Sequence, residues 1–210
     1  MPLHKIINVS DSIQVFVWKI TESYEELCNE VELNERNIIR LGGMRSELQK
    51  RAFLSVRKLL HHIGYSDFDV NYDEFGKPLL KDGKHISITH SHEFSAIILS
   101  DVNIGIDMEM QREKIIRIAD KFIDCEFNFL DSENENYIRK LTVLWGAKEA
   151  IFKVRNEAGI SFKDHIKMDP FSMEDKDGTA YLHFKGIVTK FAVHFEEIEN
   201  FTLVYAMESE

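Results

Sequence analysis

Asn103-Ile-Gly-Ile-Asp-Met-Glu-Met110 alternates without a break, and the organisation of the chain follows from how it is read. In an extended strand successive side chains point to opposite faces. Ile104, Ile106, Met108 and Met110 then form a core face, and Gly105, Asp107 and Glu109 form the other. The two acids stand about 6–7 Å apart at Cα. Adjacent anions repel, and a hard divalent cation removes that cost; a solvated strand face is the plainer alternative. Gly105, on the acid face, leaves backbone room for something large.

Upstream lie two more strand-like runs, about 85–90 and 94–100, and a turn at Asn71-Tyr-Asp-Glu-Phe-Gly-Lys-Pro78 that Gly76 and Pro78 impose. Before them the pattern is helical. Ser23 and Glu26 have the spacing of a capping box for a helix over about 24–31. A second helix over about 33–41 stops at Gly42-Gly43. A third, about 46–63, carries Leu48, Ala52, Leu59 and Ile63 at helical steps. Ile13 to Ile20 reads as a first strand. Downstream come helical signals over about 114–122 and 125–131 and a long helix over about 134–156. Three strands follow, over about 179–185, 189–196 and 201–207. A long helix, an irregular segment and three strands thus occur twice, offset by about 95 residues. The expectation is an α+β fold of two similar halves, 1–110 and 111–210, each a long helix on a small, mainly antiparallel sheet.

Composition narrows the function. The chain has 210 residues, with 26 Lys and Arg against 36 Asp and Glu, a net charge of −10. Phosphate backbones and anionic membranes reward positive charge, so neither nucleic acid nor membrane is expected as a partner. Cys28 and Cys125 sit in no metal-type spacing, no signal peptide is visible and no apolar run reaches a membrane span, so a reducing cytoplasm is expected.

Three further segments carry chemistry. In Trp145-Gly-Ala-Lys-Glu-Ala-Ile-Phe-Lys153, Glu149 and Lys153 are i,i+4 on a helix, so their side chains meet, as a surface ion pair or as something more. Lys148 reads as solvated and Trp145 as core. In His85-Ile-Ser-Ile-Thr-His-Ser-His92, Ile86 and Ile88 face the core, while His90 and His92 would share a strand face. Zinc lacks a third ligand there; imidazole and hydroxyl donors to a phosphate suit the segment better. Between Arg36 and Lys58 seven cations (Arg36, Arg40, Arg45, Lys50, Arg51, Arg57, Lys58) face Glu47 alone, a solvated helix face or a surface for anions.

Taken together these segments resemble the phosphopantetheinyl transferase superfamily, in particular its surfactin-type monomeric branch. The resemblance rests on Gly105-Ile-Asp-Met-Glu109, the Trp145–Lys153 helix some forty residues later, Gly76-Lys77-Pro78, Thr89-His90 and Arg57-Lys-Leu-Leu60, in the family's order. Thr89 stands where the family usually has Ser. The resemblance implies transfer of 4′-phosphopantetheine from coenzyme A to a serine of an apo acyl or peptidyl carrier protein, with 3′,5′-ADP released. It implies Mg²⁺, or Mn²⁺, on Asp107, Glu109 and Glu149. Glu149 would be the base, and Lys153 would neutralise charge at the bridging oxygen. Arg51, Arg57, Lys77, Thr89, His90 and Lys153 would hold coenzyme A. The expected enzyme is a monomer. Another metal-dependent phosphotransferase, or a non-catalytic protein that binds coenzyme A or a carrier, are the competing readings.

Overall fold

The computed structural model describes residues 3–209; Met1, Pro2 and Glu210, at the outer ends of the two expected halves, lie outside it. The chain divides into two compact units between Val102 and Asn103. In the first, β1 (Leu3–Ser10) pairs antiparallel with β2 (Ile13–Lys19). Helix α1 (Tyr24–Glu30) opens on the expected capping box: Glu26 N donates to Ser23 Oγ at 3.2 Å and Ser23 N donates to Glu26 Oε2 at 2.7 Å. Next come α2 (Glu35–Gly43), capped by Asn34, and α3 (Glu47–His62). The hairpin of β3 (Val70–Tyr72) and β4 (Pro78–Leu80) precedes β5 (His85–Ser91) and β6 (Phe94–Ser100). The main sheet runs β1-β2-β6-β5. Phe53, Val56, Leu59 and Leu60 of α3 pack into one cluster with Trp18, Leu27, Ile86 and Ile97. Full burial of each such side chain stabilises by about 1.5–3 kcal/mol.

The second unit starts with β7 (Ile104–Met110). Two 3₁₀ segments follow, Glu113–Lys121 and Cys125–Phe129, then α4 (Tyr137–Arg155) and the short α5 (Phe162–His165). Strands β8 (Ile166–Met168), β9 (Asp177–Phe184), β10 (Ile187–Ile198) and β11 (Phe201–Glu208) complete the antiparallel sheet β7-β11-β10-β9-β8. Leu141, Leu144, Ala147 and Ile151 of α4 pack with Leu182, Phe191, Val193 and Val204 of that sheet.

Both units use one wiring. The strand preceding the long helix (β2, β7) pairs with the unit's last strand (β6, β11), which pairs with the penultimate one (β5, β10). The fold is α+β, with helices beside antiparallel sheets. The expected division at 110/111 is displaced. Strand β7 follows β6 in sequence and alternates like a hairpin partner, yet it pairs with β11 from Met110↔Phe201 to Ile104↔Met207 and so belongs with the C-terminal sheet. The helices expected over 114–122 and 125–131 are 3₁₀ turns. Ile115 and Ile118 recur at three residues, the step that aligns side chains on a 3₁₀ turn.

Candidate active site

Close backbone approach positions the acids. A Cβ on Gly105 would lie 2.0 Å from the Ala150 carbonyl oxygen, and one on Gly146 would lie 2.7 Å from Val204 Cγ2. One glycine on β7 and one on α4 therefore let the helix rest directly on the sheet. The large object for which Gly105 leaves room is the backbone of α4. As a result Asp107 is buried rather than solvated, at 5% exposure.

Glu149 and Lys153 lie on the turns of α4 that face this strand. Lys153 Nζ donates to Asp107 Oδ1 at 2.8 Å and to the Ile106 carbonyl at 2.8 Å. The helical i,i+4 spacing suggests a Glu149–Lys153 pair, but Lys153 crosses to the strand instead. Burial pushes the Glu149 carboxyl up to about 7; the charges of Asp107 and Glu109 push the same way, and Lys153 opposes them. Three carboxylates thus interact across β7 and α4. Among the described residues, no three His, Cys, Asp or Glu side chains close around a point that a metal ion could take. The donor chemistry still suits a hard cation: all three acids offer oxygen, and their mutual repulsion is what such an ion relieves.

Glu109 also lines a cavity of about 150 Å³ with Met110, Arg112, Lys114, Ile115, Ile118, Thr142 and Trp145. Trp145 stands edge-on to Phe122 and Phe162, with ring centres 5.1 and 5.7 Å away. It is both a core ring and a pocket wall.

Lys148, read from sequence as solvated, is fully buried. Its Nζ lies 2.7 Å from Glu126 Oε1, with both side chains 0% exposed, and donates to the Phe122 and Phe162 carbonyls at 2.6 and 3.2 Å. Burial pulls the Lys148 pKa below its ordinary value, and Glu126 pulls it back up. Glu126 also accepts from the backbone N–H groups of Asp124 and Met168. The pair clamps α4 to the neighbouring 3₁₀ segment, to α5 and to β8. The signal was present: Lys148 falls on the helical stripe of Leu141, Leu144 and Ile151, where a cation needs a buried partner.

The first unit holds a separate cationic pocket of about 190 Å³. Arg40, Phe53, Val56, Arg57, Tyr72, Gly76, Pro78, Ile88 and His90 line it. Asp73 shapes the Gly-Lys-Pro turn beside it, accepting from Phe75 N at 2.9 Å and Lys77 N at 2.8 Å, while Gly76 takes φ +88°. Of the expected coenzyme-binding residues, Arg57 and His90 line this pocket. Thr89 is buried on the opposite face of β5, and Lys77 sits in the turn. His92 takes φ +50° in the β5–β6 turn, so it does not share a strand face with His90. Arg51 donates to the Glu22 carbonyl at 2.8 Å and the Ile20 carbonyl at 3.2 Å, anchoring the connection from β2 to α1.

Arg57 is already paired. Its Nε donates to Asp67 Oδ1 at 3.0 Å, its Nη1 to the Phe53 carbonyl and its Nη2 to Tyr72 Oη. Asp67 also accepts from Asn34 N and Asn37 Nδ2, which fastens the start of α2. Arg57 therefore builds the pocket floor, while exposed Arg40, with its guanidinium 5.4 Å from the Phe53 ring centre, brings the less committed charge. Sequence reading missed Asp67, whose only marker is a place in a polar loop.

Strand β7, bearing Gly105-Ile-Asp-Met-Glu109, is thus crossed by a helix that brings a glutamate of raised pKa and a lysine. Residues 103–206, nearly all of the second unit, match the profile of the 4′-phosphopantetheinyl transferase superfamily. Over 83 residues the chain is 34% identical to the 4′-phosphopantetheinyl transferase gsp of Aneurinibacillus migulanus. That match takes in 39% of this chain and 35% of the relative, so the chain spans about a third of the curated protein it matches. The second unit is thus similar to the 4′-phosphopantetheinyl transferase superfamily.

Proposed function

We propose that the protein transfers the 4′-phosphopantetheine arm of coenzyme A to a serine of an apo acyl or peptidyl carrier protein, releasing 3′,5′-ADP. The observation that carries this reading is the grouping of Asp107, Glu109, Glu149 and Lys153 on β7 and α4, within the segment that matches the superfamily. Asp107, Glu109 and Glu149 would hold Mg²⁺, which supplies neutralising charge for the coenzyme A pyrophosphate.

The protein's own groups do the rest. Glu149, on the turn of α4 that faces β7, takes the proton of the carrier serine. The serine oxygen bonds to the phosphorus that bears the pantetheine arm, and the bond from that phosphorus to the bridging oxygen breaks. Lys153 supplies positive charge to the oxygens that gain electron density. In the first unit, Arg40, His90 and the floor set by Arg57 receive coenzyme A phosphates, a task for cations on a rigid frame. The test is incubation with coenzyme A, Mg²⁺ and a panel of apo carriers, read by intact mass. A gain of one phosphopantetheinyl group on a carrier supports the reading; coenzyme A consumption without carrier labelling points to another phosphotransferase.

A further inference from the structure

The buried acid of β7 already has a cation beside it. Lys153 Nζ sits between Asp107 Oδ1 and the Ile106 carbonyl oxygen, 2.8 Å from each. One carboxylate oxygen and one carbonyl oxygen are donors of the type a hard metal ion takes. The two ends of this bond differ in freedom. Asp107 is fixed on a strand beneath α4, with its side chain 7% exposed. Lys153 ends a flexible four-carbon stem, 29% exposed, on the last turns of α4.

We propose that Lys153 is a place-holder: in the ligand-free protein its ammonium occupies the cation position at Asp107, and it leaves when a divalent ion binds there. The proposal rests on reading Asp107, Glu109 and Glu149 as the metal-binding acids. Two cations cannot both lie about 3 Å from one buried carboxylate oxygen without strong repulsion, so occupancy by one expels the other. The ammonium balances the buried Asp107 charge when no metal is present. The released ammonium, still tethered beside the site, becomes available to phosphate oxygens that arrive with the metal. The order of events follows: metal first, then a lysine free for substrate.

Competition makes a prediction that runs against a simple clamp. Removing Lys153 removes a competitor, so Lys153→Met should bind a divalent ion more tightly, by about tenfold for a bond worth about one decade of affinity. If Lys153 merely braced the site, the same change would weaken binding. Mn²⁺ binding followed by electron paramagnetic resonance gives the affinity. Lysine acetylation read by peptide mass spectrometry gives the accessibility of Lys153 with and without Mg²⁺.

The expected results are faster labelling of Lys153 in saturating Mg²⁺ and tighter Mn²⁺ binding by the variant. Asp107→Asn should label Lys153 rapidly whether or not Mg²⁺ is present. If the wild-type protein binds Mn²⁺ but Lys153 labelling does not change, or if Lys153→Met binds more weakly, the place-holder is refuted while the metal site stands. If neither protein binds Mn²⁺, the assignment of the acids falls and the place-holder with it. Should Lys153→Met fail to fold, the wild-type labelling decides.

Discussion

Replacing Lys148 by Met tests whether the buried pair under α4 holds the second unit together. Methionine nearly fills the volume but leaves the Glu126 carboxylate, 0% exposed, without its counter-charge. Breaking a buried pair at one end costs about 3–5 kcal/mol. The stranded acid has one escape, which is to bind a proton. For an ordinary glutamate that costs about 3.7 kcal/mol at pH 7 and about 1 kcal/mol at pH 5. The native variant would then carry one more proton than its unfolded chain across this window, so its stability falls as pH rises. Urea unfolding followed by the emission of Trp145, which packs on Phe122 and Phe162, reports on this region. The expected loss is about 3–4 kcal/mol at pH 7, shrinking by about 2 kcal/mol or more at pH 5. Adding Glu126→Gln should restore part of it at pH 7. A loss under about 1 kcal/mol at pH 7, or one that neither pH nor the second change alters, would refute the reasoning.

Gly105→Ala should destabilise by about 1–3 kcal/mol or more in thermal unfolding, because its Cβ would lie 2.0 Å from a helix carbonyl; an unchanged melt would contradict the close seating of α4. Arg57→Ala should act chiefly on stability, by about 3 kcal/mol, since it strands Asp67 at 2% exposure. Arg40→Ala should leave unfolding within about 0.5 kcal/mol and weaken coenzyme A binding by calorimetry; equal affinity would remove Arg40 from the site. Glu149, with its native pKa raised to about 7, binds more protons folded than unfolded between its ordinary value and pH 7. Its contribution to stability therefore declines as pH rises through that window, and Glu149→Gln should abolish the decline in metal-free protein, a difference approaching about 3 kcal/mol above pH 7. Identical pH–stability curves for the two proteins would contradict the burial of Glu149 beside Asp107 and Glu109.

What the sequence made legible was whatever repeats locally. The alternation of β7, the stripe of α3 and the capping box at Ser23 each follow from spacing over a few residues, and the structure has them where they were expected. Strand β1 alternates half-exposed residues and gives no apolar contrast, so it passed unread. The side to which β7 belongs depends on pairing with β11, about a hundred residues later, which no local pattern encodes. The site divides in the same way. Asp107, Glu109, Glu149 and Lys153 announce themselves as motif positions. Which acid Lys153 contacts is decided by the seating of α4 on two glycines, a fact of packing. Arg57 reads as a free cation in the sequence, and only tertiary structure reveals that Asp67 has claimed it.

The most direct test of the central claim is intact-mass analysis of an apo carrier protein after incubation with this protein, coenzyme A and Mg²⁺, with Glu149→Gln run alongside. One added phosphopantetheinyl group on the carrier serine is expected with the wild-type chain, and little or none with the folded variant. A carrier left unmodified by the wild-type chain across acyl and peptidyl types, or modified equally by Glu149→Gln, would contradict that claim.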